Sequence, residues 1–288
     1  MTRAWLIVGC GYTGTQLART LVARPELAAG VTITRRDREV ARALGAALVV
    51  RGERVDLAEP VDPADSGSLE VPPGAIVVCL APPGRDPVGE IAALLAAAHG
   101  AARIVYVSST GVYGPGHGAW VDETWPIAPI TESGRARATA EAALAGAAVP
   151  WVALRAAGIY GPGRGLVDRI RAGTYRVIGD GKSHVGRIHV VDLVAAIVCA
   201  GTTEVTGPIN VADADPAPIG EVADAVAARL GLPPPPRVPA EAVSPEIAGM
   251  LTADRRIANR RLVGELGVVL RYPSWRDALD AELAAPPP

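Results

Sequence analysis

The chain reads as an α/β protein wound on a parallel sheet, and three features of the sequence predict it. Short apolar runs alternate with helix-period stretches through most of the 288 residues, the pattern of successive βαβ units. The apolar mass, 49% of the chain with no Phe, is Ala, Val, Leu and Ile, which suits strands buried on both faces. Between the first strand and the first helix stands Gly9-Cys10-Gly11-Tyr12-Thr13-Gly14, a glycine pattern that carries weight only in such a place.

Each element has its reason. Strands are expected at residues 5–8, 31–34, 48–50, 75–80, 104–108 and 151–154, with helices over 15–23, 87–99 and 134–146 between them. In the opening turn Gly9 allows the tight bend and Gly11 lets backbone amides approach a pyrophosphate. Gly14 lets the helix pack close to the sheet. The N–H groups of Tyr12 and Thr13 would then face phosphate at the positive end of the helix dipole. The fold predicted is a Rossmann-type doubly wound parallel sheet, residues 1–160. Leu80, Ala81 and Ser108, at the carboxyl ends of two further strands, are placed along the cofactor because ligands of such sheets bind there.

After residue 160 the pattern loosens. Gly161-Pro162-Gly163 and Gly179-Asp180-Gly181 mark turns, and the prolines at 233–236 make a stiff link. Helices are expected over 218–230, 256–266 and 275–283. Residues 161–288 are read as a smaller substrate lobe, partly threaded back into the main sheet, with a disordered tail at 286–288.

Dinucleotide choice is read about 20 residues beyond the glycines, where NAD binders place a carboxylate for the ribose. Here stands Thr34, followed by Arg35 and Arg36. A carboxylate would repel a 2′-phosphate, whereas a guanidinium grips it bidentately. NADP is expected over NAD, and Asp37 is expected to cap a helix over 38–44. The bland alternative makes Arg35 and Arg36 a solvated loop pair.

Composition narrows the partners. A net charge of −2 offers no basic surface for nucleic acid. Cys10, Cys79 and Cys199 show neither metal-ligand nor disulfide spacing, so no metal is expected and a reducing compartment is implied. The first strand leaves no room for a signal peptide, and no uncharged apolar run reaches ~18 residues. A cytoplasmic protein with a small-molecule substrate and no membrane is the expectation.

The sequence also resembles a known family. Val107-Ser108-Ser109-Thr110-Gly111-Val112-Tyr113-Gly114 and Leu154-Arg155-Ala156-Ala157-Gly158-Ile159-Tyr160-Gly161-Pro162-Gly163 match its strand-five and strand-six blocks. Residues 187–193 and Ile209-Asn210-Val211 match two more, in the family's order. On these the chain resembles the extended short-chain dehydrogenase/reductases of the NAD-dependent epimerase/dehydratase family. The resemblance implies that Ser109 is the hydroxyl bonding the substrate oxygen. It also implies a Tyr-x-x-x-Lys pair about 25 positions on, where this chain has Ser133 and Arg137, followed by Glu141 as the family expects. That loss places it beside the atypical members.

The departure is chemical. A serine hydroxyl is a far weaker acid than a phenol and needs a separate base. Arg137 keeps a fixed charge and donors for the nicotinamide ribose but cannot exchange protons. Ser133 reads either as a catalytic remnant or as the N-cap of helix 134–146, and Arg137 as a ribose ligand or a solvated helix residue. Tyr113, four residues beyond Ser109, is the best replacement phenol. Tyr160 and His189 read as structural, His117 as an exposed loop residue, and Glu123 and Glu132 as surface charges. Trp120 and Trp125 could wall a substrate site or pack their loop. Two further readings stay open beside an oxidoreductase: a catalytically silent NADP sensor or scaffold, and a non-redox isomerase or cyclase with a structural dinucleotide. The Ala-rich helices 87–99 and 134–146 imply, through the family resemblance, a homodimer.

Overall fold

The computed structural model describes residues 2–34, 55–57 and 69–284. The expected strand 48–50, the helix over 38–44 with its Asp37 cap, Arg35, Arg36 and the tail 286–288 lie outside the described residues. The fold is the α/β arrangement that the sequence implies. Seven strands form the main sheet: β1 (Arg3–Val8), β2 (Ala28–Ile33), β3 (Val55–Leu57), β4 (Ile76–Cys79), β5 (Arg103–Ser109), β7 (Trp151–Ala156) and β11 (Gly207–Val211). Their order is β11-β7-β5-β4-β1-β2-β3, and β1 pairs in parallel with both β2 and β4. The order reverses beside β1, the switch point at which a doubly wound sheet binds its ligand.

The chain divides into two compact units, with breaks after Ser108, Arg135, Leu154, Leu193 and Pro208. It therefore passes between them five times. The first unit holds α1 (Tyr12–Val22) and α2 (Pro87–Ala97), and most of α3 (Glu132–Leu144). Its core sets Leu6, Val8, Val77 and Cys79 of the sheet against Ile91 and Leu94 of α2 and Ala140 and Leu144 of α3. Asp86 starts α2 by accepting from Gly89 N at 3.0 Å, with Pro87 in the first turn where its missing N–H costs nothing.

The second unit is built from short parallel pairs. They are β6 (Trp120–Val121) with β13 (Arg256–Ile257), β8 (Gly158–Tyr160) with β10 (Arg187–His189), and β9 (Val177–Ile178) with β12 (Arg237–Val238). Its core joins Val167 and Ile170 of α4 (Leu166–Arg171), Val222 and Val226 of α6 (Ile219–Arg229), and Trp275 and Leu279 of α9 (Trp275–Ala284). The helix expected over 256–266 is instead β13 followed by α8 (Arg260–Gly264). Arg256 N donates to Ala119 O at 3.0 Å and Ala258 N to Val121 O at 2.9 Å, a ladder that overrides local helix preference.

Candidate active site

In the first unit the glycine turn takes the shape that its sequence requires. Gly9 sits at φ +81°, and a Cβ there would lie 2.7 Å from Ala81 N, so neither the dihedral nor the space admits a side chain. A Cβ on Gly14 would meet Leu80 Cδ1 at 3.1 Å and Ile7 Cγ2 at 3.3 Å, the close helix–sheet packing expected of the third glycine. At Gly11, the residue that caps α1, the nearest atom to a Cβ is 4.0 Å away. Among the described residues no atom comes close enough to exclude a side chain there. A pyrophosphate over a helix N-terminus is a group that would use such open space. The residues therefore fit a dinucleotide.

Thr34 has a role that the sequence did not reveal. It is buried, and its Oγ1 accepts from Gly9 N at 3.2 Å while Cys10 N donates to its carbonyl at 2.8 Å. It fastens the turn to the end of β2. Leu80 N donates to Val8 O at 2.8 Å, which fixes the loop after β4 to the same turn. Ser108 is buried and donates its hydroxyl to Glu141 of α3. Arg137, half-buried, reaches back to β5 and donates to Val107 O at 2.8 Å, so it is a held side chain and not a solvated one. Burial pushes the Cys79 thiol up to about 11, with the Arg137 charge acting the other way; at neutral pH it stays a thiol.

The second unit carries the hydroxyls. Ser109 ends β5 and its Oγ accepts from Gly111 N at 3.0 Å. The turn that it caps lies against the start of α3, where a Cβ on Gly134 would sit 2.3 Å from Gly111 O. The glycine at 134 is what lets the Ser109 turn and the Ser133 helix come together. Ser133 is not the cap. Thr131 is: its Oγ1 accepts from Gly134 N at 3.1 Å, and its carbonyl accepts from Arg135 N at 3.0 Å. Ser133 is exposed and donates its hydroxyl to Glu246, in the first turn of α7 (Pro245–Thr252). The same carboxylate accepts from Glu132 N at 2.9 Å. Ser244-Pro245-Glu246 reads in sequence as a helix start, but nothing there announces its partner 113 positions away.

Tyr113 does not present its phenol where a substrate could use it. It is wholly buried; its hydroxyl donates to Asn210 Oδ1 at 2.7 Å and accepts from Arg155 at 2.8 Å. The bland readings of the other candidates agree with their placement. His189 packs between the rings of Tyr160 and Tyr272, accepts from Val191 N at 3.2 Å, and is held by burial down to about 4. His117 is exposed, at φ +49°. Glu123, read as a surface charge, instead accepts from Asn210 N at 2.7 Å and is half-buried. Trp120 is exposed and Trp125 half-buried. Among the described residues no cluster of His, Cys, Asp or Glu could hold a metal ion, and no helix is long and apolar enough to cross a membrane.

A doubly wound sheet, a glycine turn shaped for pyrophosphate and a serine at the end of β5 define a nicotinamide-dinucleotide protein of the short-chain dehydrogenase/reductase type. The chain belongs to the NAD dependent epimerase/dehydratase family, whose model matches residues 5–212. It is 37% identical over 123 residues to the 3-diazoavenalumate denitrifying reductase of a Streptomyces species, a match spanning 41% of this chain and 40% of that protein. It is similar along its whole length to the structure of a functionally unknown conserved protein from Silicibacter pomeroyi, at 29% identity and TM-score 0.82, covering 100% of both chains. The human epimerase family protein SDR39U1 shares the fold at 21% identity and TM-score 0.74, over 96% of this chain and 98% of its own, and its structure holds NADPH. Others of the same fold hold NAD.

Proposed function

We propose that this protein is an NADP(H)-dependent reductase of a small molecule, in which Ser133 and Glu246 together do the proton work of the family's missing tyrosine. The observation that carries the cofactor reading is the open space at Gly11 beside a Gly9 and a Gly14 that the protein itself requires. Preference for the 2′-phosphate rests on Arg35 and Arg36 in place of a carboxylate. The Streptomyces relative, a reductase by name, favours redox chemistry over isomerisation. The three cysteines form no disulfide, and the reducing compartment that this implies supports a cytoplasmic location.

The bound dinucleotide supplies the hydride. Ser109 Oγ accepts from Gly111 N, which leaves its own proton to donate to the substrate heteroatom and fix its position. Ser133 is too weak an acid alone, and the Glu246 carboxylate to which it donates is the separate base that it needs. In the oxidising direction Ser133 takes the substrate proton as its own passes to Glu246; in reduction the proton runs back along the same path. Arg137, one helical turn beyond Ser133, supplies a fixed charge held on the Val107 carbonyl and exchanges no proton.

A silent NADP sensor is the second reading, and the burial of Tyr113 favours it because the most obvious substitute phenol is in the core. Purified protein incubated with NADPH and a panel of aldehydes, ketones and aryl diazo compounds separates the two. Consumption of NADPH at the nicotinamide absorbance band, slowed ~10²-fold by Glu246→Gln or Ser133→Ala, is the expected result; binding without consumption across the panel leaves the sensor. A homodimer through the outer faces of α2 and α3, where Ala92, Ala96 and Ala142 are exposed, completes the proposal. Light scattering at micromolar concentration is expected to return twice the chain mass, and a monomer mass would remove it.

A further inference from the structure

Inside the second unit lies a cavity of about 270 Å³, walled by Leu166, Val185, Val222, Leu251 and Leu279. That is near the lower end for small-molecule pockets. Its polar lining is what marks it. Arg187 is only 6% exposed and Trp275 only 4%. Among the described residues both terminal nitrogens of Arg187, Nε1 of Trp275 and the hydroxyl of Tyr160 are buried with no hydrogen-bond partner, and all three residues line the cavity. A buried donor left unsatisfied costs ~1–3 kcal/mol, and a charged one more. Three such groups around one space are the mould of a ligand that brings acceptors.

The charges around the space agree. Asp213 acts on Arg187 through space, but among the described residues neither its Oδ2 nor the terminal nitrogens of Arg187 have a hydrogen-bond partner, so the guanidinium edge is left for a ligand. Arg169 also lines the space, against one carboxyl, that of Glu282, whose Oε1 is buried without a partner among the described residues. Donors and positive charge exceed acceptors, and the remaining walls are aliphatic. A carboxylate matches a guanidinium bidentately, which phosphate-free apolar walls would otherwise leave without a partner.

We propose that this cavity binds a small monocarboxylic acid with an apolar body, aromatic or branched alkyl. Its carboxylate is received by Arg187 with Tyr160 and Trp275, and its body packs against Val222, Leu251 and Leu279. The site is independent of the reaction proposed above and stands whether or not NADPH is consumed. The glycine turn, Ser133 and Glu246 are not part of it.

Isothermal titration of the full chain with benzoate and hexanoate, against benzamide and hexanol, tests the idea. Both acids are expected to bind at least tenfold more tightly than their neutral counterparts. Arg187→Met should erase that preference. Because removing a buried Arg can impair folding, Leu251→Trp provides a second arm: at a half-buried wall position it should block all four probes while thermal unfolding stays unchanged. Equal affinity for acids and neutral analogues, no binding of either acid, or acid binding untouched by Leu251→Trp would each overturn the proposal. NADPH binding measured alongside keeps the outcomes apart: loss of acid binding alone refutes this site, and absence of NADPH binding alone refutes the reductase.

Discussion

The hydroxyl of Tyr113 donates to Asn210 Oδ1 at 2.7 Å, across 97 positions of sequence, and accepts from Arg155 at the same time. Asn210 in turn donates to Val121 O at 3.1 Å and Ala258 O at 3.2 Å. The phenol four residues beyond Ser109 is thus the centre of a buried polar network. Tyr113→Phe is expected to lower unfolding free energy by ~1–3 kcal/mol, read by urea denaturation, and to leave NADPH consumption near wild type below the melting range. A hundredfold loss of turnover with unchanged stability would return Tyr113 to the chemistry.

Helix α3 offers a paired comparison. Thr131 Oγ1 caps it, whereas Ser133 points to Glu246. Thr131→Ala should cost ~1 kcal/mol of stability and Ser133→Ala only a few tenths. Thermal melts of the two variants decide this, and a larger loss for Ser133→Ala would make Ser133 a structural residue.

The three glycines of the first turn should separate cleanly. Gly9→Ala faces a positive φ and Ala81 N at 2.7 Å, so it should destabilise the fold by a few kcal/mol. Gly11→Ala meets nothing closer than 4.0 Å and should melt like wild type while binding NADPH at least ~10-fold more weakly. Unchanged NADPH affinity in Gly11→Ala would place the pyrophosphate elsewhere.

Stability should also depend on pH in a definite sense. Burial pushes the Asp213 carboxyl up to about 7, with Arg187 pulling it down, and burial pushes Glu282 up to about 7 as well. Each holds a proton in the fold where the unfolded chain has lost it. Their contribution is therefore complete at acid pH and is lost as pH rises from the ordinary carboxylate range through about 7. His189, lowered to about 4, acts oppositely: its contribution is lost as pH falls from 6.5 towards that value. Asp213→Asn should shrink the decline in stability on the neutral side by ~1–3 kcal/mol. An unaltered pH profile would show that Asp213 is ionised in the fold.

Much of this was legible in the sequence because it rests on local chemistry. The glycine turn, the helix beginning at Pro87 and the strands feeding the parallel sheet need only their own residues and the 2.0 or 3.6 period. What was hidden depends on long-range pairing. Residues 256–258 have helix-compatible composition and become extended because Ala119 and Val121 offer them a ladder. Ser133 looks like a cap until Thr131, two residues earlier, takes the position. Glu246, the proposed base, and Arg187, the proposed acid receptor, acquire meaning only from what they face, which no spacing encodes. Periodicity fades after residue 160, and which later residues group with the first unit, 194–208, is set by contacts that no local pattern encodes.

The most direct measurement is calorimetric titration of wild type and Arg35→Ala with NADPH and with NADH. Wild type should bind NADPH ~10- to 100-fold more tightly, the worth of one charge-assisted phosphate contact, and Arg35→Ala should lose most of that margin. Equal affinities in wild type would contradict selection of NADP, and binding of neither dinucleotide would contradict the function proposed for this chain.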